Sequence, residues 1–91
     1  MNTYVVKHNT HDSERFDPVR LHGSIFRACL SVRAFEGEAH DAAERVCKHV
    51  IDWLENKVEV SSEDVRRVAA RNLATYHPEA GYMYEQQGVI L

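Results

Sequence analysis

Ninety-one residues, 44% hydrophobic and 27% charged, suit one globular domain that can bury a core without disulfide staples. Eleven basic against fourteen acidic side chains leave a net charge of −3, the wrong sign for a general nucleic-acid binder, which needs a basic surface to displace counterions from phosphates. No apolar run approaches a membrane span, and MNTYVVKHN lacks the apolar segment of a secretory signal, so the expected compartment is the cytoplasm.

Tyr4, Val5 and Val6 are strand formers, and the polar stretch from Lys7 to Ser13 carries the Asn, Asp and Ser of a turn. Glu14-Arg15-Phe16 is expected to return as a second short strand, giving a hairpin with a long loop. Asp17-Pro18 then reads as a helix start: aspartate accepts the free backbone N–H groups, and proline gives up a donor that had no partner. A helix is predicted from Val19 to about Val32, with Leu21, Ile25, Cys29 and Val32 on one face, widened by Phe26 and Leu30. Gly23 weakens that helix unless it permits the close approach of a neighbouring element.

Phe35 to Gly37 is expected to connect to a second helix, from about Glu38 to Asn56, striped with Ala39, Ala42, Ala43, Val46, Val50 and Leu54. Cys29 and Cys47 fall on buried helix faces, where a thiol serves as a small hydrophobe; their separation matches no zinc or redox motif. Val58-Glu59-Val60 alternates like a strand, and Ser61-Ser62-Glu63-Asp64 opens a third helix with a serine cap and acidic first turn. His77-Pro78 ends that helix and starts a fourth, to about Gln87, before the apolar tail Gly88-Val89-Ile90-Leu91. The order β-β-α-α-β-α-α over residues 1–91 predicts a single α+β, mainly α domain, a four-helix bundle capped by a small three-stranded sheet.

No phosphate-loop, dinucleotide or HExxH motif is present, and no serine or cysteine is paired with a histidine as a nucleophile, so catalysis is not expected. His40 with Glu44, and His8 with His11, invite a metal reading, but no third ligand stands at a suitable spacing; solvated histidines are the plainer account. The charged residues of the hairpin are different because they should converge. Lys7 ends the first strand, Glu14 lies on the returning one, and Asp17 and Arg20 share an edge of the first helical turn. Cations beside a helix N-terminus can hold phosphates, while carboxylates can accept from an amino group or a ribose hydroxyl. Residue types alone favour the plainer alternative, a solvated hairpin tied by weak salt bridges.

Register across the whole chain adds a second line. Val5-Val6-Lys7-His8-Asn9-Thr10, Glu14-Arg15-Phe16-Asp17-Pro18-Val19-Arg20-Leu21, Ser24-Ile25 with Ala28, and Val60-Ser61-Ser62-Glu63-Asp64-Val65 together resemble the ATP-cone domain. That family is the adenine-nucleotide-binding module of many ribonucleotide reductases and of the bacterial repressor of reductase genes. The resemblance implies ATP or dATP as ligand, with or without Mg2+, and gives Lys7 and Arg20 the phosphates. It gives Glu14 and Asp17 polar recognition of the base, Val5 an apolar wall beside it, and Ser62 and Arg66 an approach to sugar and phosphates from the third helix. His8 stands where the family has arginine, a weaker and pH-dependent cation. Asn9-Thr10 replaces Asp-Gly, and Tyr84-Glu85-Gln86-Gln87 lacks the basic residues often found there.

The resemblance therefore implies a free-standing allosteric sensor that acts through self-association or through a partner enzyme or regulator. Its rival is a degenerate cone that keeps the fold, has lost the ligand, and contacts proteins, for example through the apolar tail.

Overall fold

The computed structural model describes residues 3–7, 10 and 12–87. The elements are β1 (Tyr4–Val6), β2 (Ser13–Arg15), α1 (Pro18–Ser31), α2 (Glu36–Leu54), β3 (Glu59–Ser61), α3 (Ser62–Tyr76) and α4 (Pro78–Gln87), in the expected order. The helices make up most of the chain, and the strands form one sheet of order β2-β1-β3. His8, and the tail Val89-Ile90-Leu91, lie outside the described residues.

β1 is the central strand. It pairs antiparallel with β2, setting Val5 opposite Glu14, and parallel with β3, setting Val5 beside Val60. Residues in register share a face, so Val5 and Val60 both turn into the core and are buried. Thr3 Oγ1 donates to the Lys57 carbonyl at 2.8 Å, and Tyr4 N–H to that of Val58 at 2.9 Å, which fixes where β1 and β3 begin. β3 starts one residue later than the alternation of Val58-Glu59-Val60 suggests, and Val58 is 77% exposed. β2 starts one residue earlier than expected, at Ser13, and ends at Arg15. Phe16 adds one further hydrogen bond, to the Thr3 carbonyl at 2.9 Å, but lies past the strand with its ring in the core.

Each helix end has a local cause. Asp17 Oδ1 accepts from Val19 N–H at 3.0 Å and Arg20 N–H at 3.4 Å, and Pro18 occupies the first turn. Ser61 Oγ caps α3 by accepting from Asp64 N–H at 3.0 Å. His77 does the same for α4 through Nδ1, which accepts from Ala80 N–H at 3.3 Å. α2 opens at Glu36, so Gly37 is helical and is not the connection. Phe35 offers no capping atom, and Glu38 Oε1 instead reaches back to its N–H at 3.2 Å.

The reversal between α1 and α2 is made by Arg33 at φ 64°, where Ala34 N–H donates to the Cys29 carbonyl and Arg33 N–H to that of Leu30. This is the Schellman arrangement with a non-glycine residue at its left-handed position. Asn56 at φ 71° has the corresponding place after α2, which ends at Leu54, two residues before the expected boundary.

The core runs down the bundle axis through Leu21, Ile25, Val46, Val50, Leu54, Val65 and Leu73, with Cys29 and Cys47 buried among them. α4 closes the bundle against α3 and α1. At Gly81 an added Cβ would lie 2.8 Å from the backbone of Ala74, so α3 and α4 approach as closely as they do because no side chain stands there. At Gly23 no neighbouring element makes the close approach: an added Cβ would meet only Arg27 Nη1 of the same helix, at 3.3 Å. None of the described helices is long and apolar enough to cross a membrane.

Candidate functional site

Three of the singled-out side chains meet, from three different elements. Glu14 on β2 accepts a hydrogen bond from Arg20 Nη1 of α1 at 3.0 Å through one carboxylate oxygen. Its other oxygen lies 3.2 Å from Lys7 Nζ, just past β1. Register explains the meeting. Glu14 is opposite Val5 and therefore on the inner face of the sheet, and Lys7, two positions on from Val5, follows the same side. Arg20 stands on the first turn of the helix that β2 leads into. The three side chains are 37%, 42% and 44% exposed for Lys7, Glu14 and Arg20. Lys7, and after it Arg20, hold the Glu14 carboxyl below its ordinary pKa by hydrogen bonding and charge.

Asp17 does not join this group. Its Oδ1 is committed to the N–H groups of Val19 and Arg20, and the Leu21 N–H bonds the Asp17 carbonyl at 3.2 Å. The start of α1 therefore does not offer the free donors expected of it as an anion site; its own cap consumes them. Val5 is buried beside Glu14, where an apolar wall was expected.

Ser62 opens α3 directly after Ser61, which pairs with Val6, so the start of α3 and the end of β1 lie at the same edge of the sheet. Among the described residues, neither Ser62 nor Arg66 bonds to Lys7, Glu14 or Arg20.

Tyr84 marks what sequence reasoning missed. It is the largest fully buried side chain, and its hydroxyl lies 2.9 Å from Ser24 Oγ, itself fully buried. Ser24 spends its proton on the Leu21 carbonyl at 2.8 Å, so the Tyr84 hydroxyl donates and Ser24 accepts. Burial pushes the Tyr84 phenol up to about 12, and the positive charges of Arg66 and Arg27 oppose that rise. Ser24 and Tyr84 stand sixty positions apart, and no local pattern announces their pairing.

Two open depressions lie away from the charged group. One, about 180 Å³, sits where the α1–α2 turn faces the end of α3; the other, about 390 Å³, lies beside the end of α2 and the start of β3. Among the described residues no three side chains group as metal ligands. The chain matches no family model, no curated protein and no solved structure.

Proposed function

We propose that this chain is an adenine-nucleotide-binding regulatory domain of the ATP-cone type, with ATP or dATP as its ligand. The observation that carries the reading is the convergence of Lys7, Glu14 and Arg20 from β1, β2 and α1 onto one half-exposed site beside the buried Val5. Phosphate oxygens compete with the Glu14 carboxylate for both cations. Freed from them, Glu14 accepts from an exocyclic amino group or a ribose hydroxyl. Because the site joins a hairpin to a helix start, a nucleotide that bridges them biases how hairpin and bundle sit. A sensor needs that difference between two states, read out by self-association or by a partner enzyme or regulator.

Calorimetric titration with ATP, dATP, ADP and GTP tests the reading, with mass measurement of the assembly in parallel. Adenine nucleotides are expected to bind, with or without Mg2+, and Lys7→Ala and Arg20→Ala to abolish that binding. No heat and no thermal stabilisation with any adenine nucleotide at high concentration would sink it.

A second reading, a cone that has lost its ligand and contacts proteins, draws on the ion pairs by which Glu14 already engages both cations and on exposed Val19, 78% accessible and one residue from Arg20. It predicts a silent titration with the fold intact.

A further inference from the structure

α1 buries Leu21, Ser24, Ile25, Ala28 and Cys29 against the bundle. Along its outer side stand Val19, Gly23, Phe26 and Leu30, at spacings of four, three and four. That is the spacing of a coiled-coil seam, the narrow stripe that one helix presents to another. Val19 is 78% exposed and Leu30 42%, while half-buried Phe26 rests on the His40 ring of α2 at a centroid distance of 4.4 Å. Phe35, in the turn after α1, is 80% exposed. Gly23 puts no Cβ in the middle of the seam, and no other described element uses the opening.

The width of the stripe favours a helix as its occupant. The broad apolar face of α1 already packs into the core, and the single seam left outside is too narrow for a bilayer surface. Charge selects among helices. From Pro18 to Phe35 there are three arginines, Arg20, Arg27 and Arg33, and no carboxylate, in a chain whose net charge is −3. Glu14 engages Arg20. Arg27, beside Phe26, and Arg33, three positions beyond Leu30, are exposed and, among the described residues, have no carboxylate within ion-pair distance. Charges that flank a seam choose its partner. A second α1 would set arginine near arginine and bring no carboxylate to either.

We infer that the outer face of α1 is a docking seam for an acidic amphipathic helix of a partner protein. About three turns of that helix match the length from Val19 to Leu30. Its apolar residues cover Val19, Phe26 and Leu30, its carboxylates pair with Arg27 and Arg33, and the gap above Gly23 receives one of its larger side chains. None of these five residues of α1 and its following turn belongs to the proposed nucleotide site, so the inference stands with or without a nucleotide ligand.

The test measures binding of the full chain to two synthetic helical peptides of about three heptads, with leucine along the seam and either glutamate or lysine on both flanks. The glutamate peptide is expected to bind at least about tenfold more tightly than the lysine peptide. Val19→Gln combined with Leu30→Gln should weaken the glutamate peptide about tenfold while circular dichroism shows the fold kept. Arg27→Glu combined with Arg33→Glu should reverse the preference and make the lysine peptide the tighter ligand. No binding of the glutamate peptide, equal affinity for the two peptides, or binding indifferent to Val19 and Leu30 would overturn the assignment. Binding to phosphatidylglycerol vesicles in place of the peptide, or self-association that the double glutamine variant abolishes, would overturn it as well, because each puts a different occupant on the seam.

Discussion

Two polar clusters share α1 and differ in their access to water. Ser24 and Tyr84 are fully buried, and their hydroxyls are satisfied in sequence: Tyr84 donates to Ser24, and Ser24 to the Leu21 carbonyl. Removing a partner there leaves a polar atom with no substitute. Lys7, Glu14 and Arg20 stand about two-fifths exposed, so water can substitute for any of the three and another anion can take the place of Glu14. The buried pair is suited to fix α4 on α1. The exposed triad is suited to exchange partners, as a ligand site must.

The largest effect that separates the two regions belongs to the helix contact that holds Tyr84 in place. In Gly81→Ala the new Cβ would meet N, Cα and Cβ of Ala74, each at 2.8 Å, and backbone cannot step aside as a flexible side chain can. We expect a loss of about 1–3 kcal/mol in urea unfolding, beyond what the helix gains by losing a glycine. Nucleotide affinity should change little while the protein stays folded. Unchanged stability would mean that α4 tolerates displacement, and the buried side of the comparison would lose its rigidity.

Tyr84→Phe is the next step down. It removes one hydroxyl and its hydrogen bond, at a cost of about 1 kcal/mol near neutral pH. Its pH dependence is more telling. The phenol is raised from 10.0 to about 12, and burial also raises Cys47 from 9.0 to about 11. Groups whose folded pKa is raised stabilise the fold below their unfolded values, and that contribution is lost as pH rises through the folded ones. The parent should therefore keep its full stability to about pH 9, the ordinary value of the thiols, and weaken progressively toward pH 12. Tyr84→Phe lacks the tyrosine's share of that loss, so the gap between the two proteins should narrow above pH 10. Thermal midpoints from pH 7 into the alkaline range check this, and a constant gap would show that the phenol does not titrate with unfolding.

The same contrast explains which parts of the molecule could be read from sequence. Asp17-Pro18, Ser61 and His77-Pro78 mark helix starts because capping is a local interaction between a side chain and N–H groups two or three residues on. The meeting of Lys7, Glu14 and Arg20 was also legible, since a hairpin that runs into a helix leaves their side chains little choice of direction. Arg33 and Asn56 at positive φ were not, because the left-handed turn after a helix favours glycine, and Gly37 drew the connection toward itself. The Ser24–Tyr84 pair depends on how α4 and α1 finally pack. Nor does any spacing show that the Asp17 cap uses up the donors at the start of α1; that requires the orientation of one carboxylate.

Glu14→Gln should have the smallest effect on the fold and the most informative effect on the ligand. Lys7, and after it Arg20, lower the Glu14 pKa, so its stabilising contribution is present above its ordinary value of 4.5 and is lost as pH falls through the lower folded value. Because the carboxylate is open to water, that contribution is screened. The change in thermal midpoint for Glu14→Gln should therefore fall below that of Tyr84→Phe. Binding should move in two directions. Without the competing negative charge, Lys7 and Arg20 meet phosphates unopposed, so tripolyphosphate affinity rises. The amide offers a different pattern of donors and acceptors to the base, so the preference for ATP over GTP falls. Parallel titrations with the three ligands measure both. A fall in tripolyphosphate affinity would mean that Glu14 holds the two cations in place for phosphate, and the triad would then be a fixed support like the Ser24–Tyr84 pair.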